Sequence, residues 1–160
     1  MADIVDSATR SRMMSGIRGK NTKPEIIIRK LLFNAGFRYR LHVKDLPGKP
    51  DIVLPKYHAV IFIHGCFWHG HDCPLFKMPS TRGEFWKSKI ARTKKLDAEA
   101  QAKLADIGWR VGAVWECALK GVGRHHQEDL LEEISGWLQG NEGKLEITGT
   151  KAWRPKTREA

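Results

Sequence analysis

Pro50-Asp51-Ile52-Val53-Leu54-Pro55-Lys56-Tyr57-His58-Ala59-Val60-Ile61-Phe62-Ile63-His64 is the stretch on which the fold turns. Its apolar runs, Asp51 to Leu54 and Ala59 to His64, lie either side of the turn signal Pro55-Lys56 and read as successive strands. Before them, Pro47-Gly48-Lys49-Pro50 marks another turn, closing an extended segment predicted over Phe37 to Val43. Further out, Thr22-Lys23-Pro24-Glu25 is a capping box with an early proline. It predicts a helix with Ile27, Ile28, Leu31 and Leu32 as its buried stripe and Gly36 at its end. On the other side, Thr81-Arg82-Gly83-Glu84 reads as a second capping box, opening a long helix to about Ile107 that stops at Gly108. Trp109 to Trp115 is a further apolar strand, and Gln127 to Leu138 a last amphipathic helix. The order predicts an α/β fold, a mixed sheet flanked by helices. That architecture hosts many activities, so function has to be read from the site.

The 160 residues form one domain by length, predicted over 21–140, with an N-terminal arm over 1–20 and a loose polar tail over 141–160. Residues 7–17 read as a short basic helix carrying Met13, Met14 and Ile17. No 18-residue apolar run and no signal peptide is present, so a soluble, cytoplasmic protein without membrane association is expected. The formal net charge of +10 is unevenly spread. Residues 1–49 hold 11 Lys/Arg against 4 Asp/Glu, and residues 77–95 hold 7 against 1, whereas residues 96–140 carry 4 basic and 8 acidic groups. One basic face and one ordinary face suit a polyanion binder.

Gly65-Cys66-Phe67-Trp68-His69-Gly70-His71-Asp72-Cys73 follows directly on the second strand. It concentrates metal-type ligands and large aromatics in nine residues. The only cysteines are Cys66, Cys73 and Cys117, not the even-numbered framework of a disulfide-bonded secreted protein. Three thiolates and one imidazole complete a closed, structural zinc site. The fourth ligand lies between His69 and His71. His71, two residues before Cys73, is the choice, because His69 adjoins the aromatics and is better placed for substrate. Asp72 is a poor match for a thiolate-rich site.

Pro50-Asp51 at a strand start, with Glu25 in the first turn of the preceding helix, resembles the layout of restriction-endonuclease-like nucleases of the PD-(D/E)xK type. Where that motif has acid-x-lysine, this chain has Phe62-Ile63-His64. Asp51 and a main-chain carbonyl near Ile63 can still hold Mg²⁺, which needs only one or two protein carboxylates. With the lysine absent, a histidine has to activate water or assist the leaving group, and His69 and His64 are available.

Val60-Ile61-Phe62-Ile63-His64-Gly65-Cys66-Phe67-Trp68-His69, Phe85-Trp86 and Val114-Trp115-Glu116-Cys117-Ala118-Leu119, with the Pro47 to Asp51 turn and Gly108 to Val111, closely resemble the very-short-patch repair (Vsr) endonucleases of bacteria over roughly residues 1–140. The resemblance implies nicking of double-stranded DNA 5′ to the thymine of a T:G mismatch left by 5-methylcytosine deamination. It implies Mg²⁺ at Asp51 and the main chain of Ile63, water activation by His69, structural zinc at Cys66, His71, Cys73 and Cys117, and a supporting role for Glu25. Phe67, Trp68 and Trp86 match the family's wedge into the base stack, and Met14 an insertion from the other groove. Without the resemblance, Trp86 reads as a helix core residue. Lys89, with Lys87, Arg92, Lys94 and Lys95, would contact phosphates. The expected protein is a monomer with links to a MutL-type mismatch-repair protein and a DNA cytosine methyltransferase. Two other readings compete with it: a restriction-type enzyme cutting both strands of matched DNA, and a zinc-stabilised DNA-binding module without catalysis.

Overall fold

A computed structural model describes residues 22–73 and 75–150. The basic helix expected over 7–17, Met14 and the 1–20 arm therefore lie outside the described residues. Helix α1 spans Lys23–Asn34, and the Thr22 hydroxyl accepts from the Glu25 N–H as its N-cap. Of its predicted stripe, Ile28 and Leu32 are fully buried, while Leu31 packs at the core's margin.

Five strands follow in spatial order β1 to β5: Arg40–Leu41, Ile52–Leu54, Ala59–His64, Arg110–Trp115 and Lys144–Ile147. The first three are antiparallel, with Ile52 opposite Ile61. β3, β4 and β5 run parallel, His64 lying beside Trp115 and Val114 beside Ile147. Parallel neighbours need crossovers. Helix α2, Gly83–Asp106, and helix α3, Gln127–Gln139, supply them.

The period-2 alternation of β3 divides the core between the two faces of the sheet. Ala59, Ile61 and Ile63 face α1 and α3, packing with Ile28, Leu32, Leu130 and Ile134. Val60 and Phe62 face α2 through Leu104. Gly112 of β4 lets Trp137 of α3 lie on the sheet, because a Cβ there would sit 3.1 Å from the indole ring. The Arg110 guanidinium ties the end of α3 to the sheet by donating to the carbonyls of Trp137, Leu138 and Gly140. No helix among the described residues is long and apolar enough to cross a membrane.

Two expectations are corrected. The stretch after Gly140 is not all loose: Lys144–Ile147 is the fifth strand, and its Lys-Leu-Glu-Ile alternation carries the strand signal in too few residues to stand out. The second capping box does not form. Arg82, in the left-handed region at φ 55°, is the N-cap of α2 without a side-chain bond, and its guanidinium lies 4.2 Å from the Phe85 ring centroid instead.

Candidate active site and metal centre

The loop after β3 folds into tight turns closed by its own backbone: His69 N–H donates to the Gly65 carbonyl and His71 N–H to the Cys66 carbonyl. Between the two histidines, Gly70 has φ +63°, and a Cβ there would fall 2.6 Å from Ile90 Cγ2 and 2.7 Å from Lys94 Cε of α2. Only glycine permits both the backbone conformation and this approach. Ile90, Lys94 and Asp97 follow one another up a single face of α2 at helical spacing. Seating Gly70 on the first two brings His69 to the third, and His69 Nδ1 and Asp97 Oδ2 are in direct contact.

His71 turns the other way. With Cys66, Cys73 and Cys117 it forms a cluster whose ligating atoms all lie within 4.8 Å of one another. Its Nδ1 is 3.6 Å from Cys66 Sγ and 3.5 Å from Cys117 Sγ. All three thiols are buried. A tetrahedral ion bonded at about 2.0 to 2.3 Å separates its donors by roughly 3.5 Å, so the donor set and spacing fit a metal ion. Held against one another, the thiols divide: contact with Cys117 and burial push the Cys66 thiol up, while contact with Cys66 pulls Cys117 below the ordinary thiol range. A thiolate so favoured is ready to ligate. The Gly149 N–H donates to Cys117 Sγ at 3.2 Å, and the Cys66 N–H donates to Glu116 Oε1 at 3.2 Å, so groups outside the cluster fix two of its ligands. Asp72 is exposed and stands outside the cluster.

Asp51, immediately before β2, accepts the Ile63 N–H at 2.7 Å. Its pKa is raised to about 6, first by burial and further by the nearby Glu25 carboxylate, against the Ile63 hydrogen bond and the charges of His69 and Arg29. Glu25 is itself buried, held by Arg29 at 2.8 Å and by the Thr22 hydroxyl at 3.2 Å. His64, at the end of β3, is 4% exposed, and burial together with the neighbouring His69 lowers its pKa to about 4. Its ring centroid lies 4.1 Å from that of His69. Trp115 joins the two centres: it stacks on His71 at 4.1 Å, meets His64 at 4.8 Å and presents its edge to His69 at 6.0 Å. Its indole N–H donates to Glu146 of β5 at 2.9 Å, so the strand missed in the sequence helps to hold the site.

Glu25, Asp51, His64, His69 and Asp97 open on one cleft of about 1140 Å³, whose walls also carry Lys23, Lys49, Lys89, Lys103 and Lys120. Phe67 and Trp68 line it too, and with Trp86 they form a cluster with centroids 5.1 to 5.8 Å apart. Trp86 is half-buried against these rings rather than in the main core. Asp97 is the residue that sequence reasoning missed. In sequence it stands in the acidic stretch after residue 95, and only the fold shows that it continues the helix face that carries Ile90 and Lys94.

A half-buried carboxylate and a carboxylate-held imidazole lining a cleft that also carries lysines are the equipment of a phosphodiester hydrolase. The family profile described as DNA mismatch endonuclease Vsr matches residues 2–75. The DNA mismatch endonuclease Vsr of Escherichia coli K12 is 44% identical over 147 residues, covering 92% of this chain and 94% of that protein. The type II nicking enzyme V.XorIIP of Xanthomonas oryzae pv. oryzae is 46% identical over 77% of this chain and 90% of its own. The type II nicking enzyme V.NmeAIP of Neisseria meningitidis serogroup A is 46% identical over 84% of this chain and 97% of its own. The chain belongs to the Vsr family of DNA mismatch endonucleases, and with it to the hydrolases that nick DNA.

Proposed function

We propose that this endonuclease nicks double-stranded DNA 5′ to the thymine of a T:G mismatch arising from 5-methylcytosine deamination, and so initiates very-short-patch repair in the cytoplasm. The observation that carries the reading is the convergence of Asp51 with the His69–Asp97 pair in one lysine-walled cleft. The fold reading is restriction-endonuclease-like. It is supported by Asp51 at the start of β2, paired antiparallel with the strand that holds Ile63. The relatives named as nicking enzymes favour cutting of one strand over a restriction-type double cut. Links to a MutL-type protein and to a cytosine methyltransferase, and action as a monomer, belong to the same reading.

Asp51 and the main-chain carbonyl of Ile63 would hold Mg²⁺, which supplies charge stabilisation at the phosphoryl oxygens when bound. Asp97 accepts the proton on His69 Nδ1, which fixes the ring's tautomer and leaves the Nε2 lone pair free to take a proton from the attacking water. Held neutral by burial, His64 does not act as a cationic acid. It supports the His69 ring. Glu25 orients the water network from the buried end of α1. Cys66, His71, Cys73 and Cys117 would hold zinc, which when bound would keep the loop folded and leave no coordination position for substrate. Phe67, Trp68 and Trp86 are the wedge. Unstacking costs a few kcal/mol per step and stacking on an aromatic returns about 1 to 3 kcal/mol per base, so a weakly stacked wobble pair opens more cheaply than a matched pair.

The test is single-turnover cleavage of labelled duplexes with one T:G pair at a methylation-type site, beside the T:A duplex, each strand followed separately, with Mg²⁺ or EDTA. The expected result is a Mg²⁺-dependent nick beside the mismatched thymine alone, lost in Asp51→Asn. Equal cutting of both matched strands would establish the restriction reading instead. Binding without a cut, unchanged by Asp51→Asn, would establish the non-catalytic module.

A further inference from the structure

We propose that His64, His69 and Asp97 form a second metal site, one that takes a first-row transition ion such as Zn²⁺, Co²⁺ or Ni²⁺ rather than Mg²⁺, and that filling it switches off the histidine base. The ligating atoms of these three residues lie within 4.8 Å of one another, a bound that the thiol cluster also meets. The donors differ. Two imidazoles and one carboxylate suit Zn²⁺, Co²⁺, Ni²⁺ or Cu²⁺, whereas Mg²⁺ takes oxygen ligands and dehydrates reluctantly. Mg²⁺ therefore has no reason to leave the oxygen ligands of Asp51 for this group, and a thiophilic ion already in the cysteine cluster does not vacate it. The side chains of His69 and Asp97 are 19% and 28% exposed, so an ion can reach them from the cleft that they line. His64 comes from the end of a buried strand and is fixed, which leaves Asp97, on the helix, as the ligand with room to move apart from His69 and admit an ion.

The consequence follows from counting protons on one ring. A neutral imidazole carries a single N–H. With Asp97 as the acceptor, that proton sits on Nδ1 and Nε2 is the free base. An ion that takes the Nδ1 lone pair requires this proton to leave, and the ring, still neutral, then carries its proton on Nε2 through exchange with water. Nothing is oxidised or reduced, and no net proton is lost from the ring. The nitrogen that should accept the proton of water has become a donor. The inhibitory half of the inference rests on His69 as the base in the proposed function; ion binding itself does not.

The experiment adds Co²⁺ to full-length protein whose cysteine cluster is already loaded with zinc, and follows the absorption spectrum. One further equivalent should bind with visible d–d bands and without the near-ultraviolet charge-transfer band that thiolate ligation gives. Asp97→Asn and His64→Gln should each weaken it about tenfold or more. Asp51→Asn should leave it unchanged, and zinc content should stay at one per chain in all three variants, reporting that they fold. In parallel, Zn²⁺ titrated into the Mg²⁺-supported nicking reaction should inhibit, reversed by a chelator too weak to strip the cluster. No further equivalent, a thiolate band, or loss of the bands in Asp51→Asn would overturn the site. Binding without inhibition of nicking would overturn the switch. A protein that nicks nothing would sink the proposed function, while the cobalt spectrum would still decide whether the site exists.

Discussion

Gly70 separates two histidines that meet opposite fates. His71 enters a closed cluster with three buried thiols, and its ring stacks on Trp115. His69 enters a half-open cluster with Asp97 and His64 on the wall of the cleft. Both clusters bring nitrogen and anionic donors within the same few ångströms, yet one is built of buried thiols and the other lines the large cleft. A loop with little apolar core of its own can in this way hold a side chain at fixed geometry. One end closes in the thiol cluster, the other sets His69 against Asp97, and a single glycine seats the turn between them on α2. The closed half should carry stability and the open half chemistry.

The largest effect expected from breaking this division is in the closed half. Cys117→Ser should lower the thermal unfolding midpoint sharply and release the bound metal, because apparent structural-zinc binding is worth on the order of 10 kcal/mol in small metallodomains and each ligand is needed. Nicking should vanish with it. His69→Ala should leave the unfolding midpoint and the metal content as they are while slowing single-turnover nicking by about 10² to 10⁴ fold, the range of a general base. Circular dichroism melts and metal analysis on both variants check the contrast. Equal loss of stability in the two would mean that the halves are not separable.

Gly70→Ala sharpens the comparison at its hinge. The added methyl meets Ile90, a core residue 7% exposed, and demands φ +63° of a residue with a Cβ. The loop has to lift from α2, drawing His69 from Asp97, while the cysteines, reached from β3 and from the turn after β4, keep His71. A misplacement of about 1 Å costs on the order of 100-fold in rate. Zinc content should stay near one per chain, and kcat should fall more than KM rises. Loss of zinc instead would show that Gly70 serves the closed half.

A pH series separates the halves without mutation. Asp51 has a pKa raised from 3.8 to about 6 by burial and the Glu25 charge, so in the absence of metal it ionises only near neutrality. Divalent metal needs the carboxylate, so Mg²⁺-dependent nicking at subsaturating Mg²⁺ should fall about tenfold per unit below pH 6. Stability moves in the opposite sense for this group. A carboxylate whose folded pKa is raised penalises the folded state when ionised, so its cost is present above pH 6 and is relieved as pH falls toward 3.8. Activity falling while the Asp51 contribution to stability improves would identify the group. Unfolding measured on Asp51→Asn, which lacks this pH dependence, isolates the contribution.

The two halves were also unequally legible in the sequence. The closed cluster could be read because three of its ligands lie within eight residues, and Cys117 adds one strand end. The open site was only partly readable. Asp51, His64 and His69 lie on or beside predicted strands, but Asp97 sits 28 residues from His69 on a helix that looks basic and solvent-facing. Only the packing of Gly70 against α2 brings them together, and no local pattern encodes that approach. The same holds for β5. Its four residues have the right alternation, and what makes them a strand is pairing with β4 and the Glu146 bond to Trp115. Helix α1 was legible because capping and burial are local, and its buried Glu25 is held within the helix by Thr22 and by Arg29 one turn on, whereas its nearness to Asp51, whose pKa it raises, comes only with the fold. Residue types that gather in a short stretch could be read; an approach such as that of Asp97 to His69, set by packing between distant elements, could not.

The smallest expected effect lies outside both clusters, on the cleft wall. Lys89 is exposed on α2 and lines the cleft without touching either centre. Among the described residues its ammonium has no ion-pair partner, and its removal should leave unfolding and metal content unchanged. If it neutralises a phosphate, Lys89→Ala should weaken binding to matched and mismatched duplexes alike and reduce the slope of log binding constant against log salt by about one unit. The same substitution at Lys94, whose stem lies against Gly70, should not behave so simply, because it also unpacks the loop that aims His69. A salt slope unchanged in Lys89→Ala, measured beside a rate loss in Lys94→Ala, would mean that the basic face of α2 serves to hold the loop rather than the DNA.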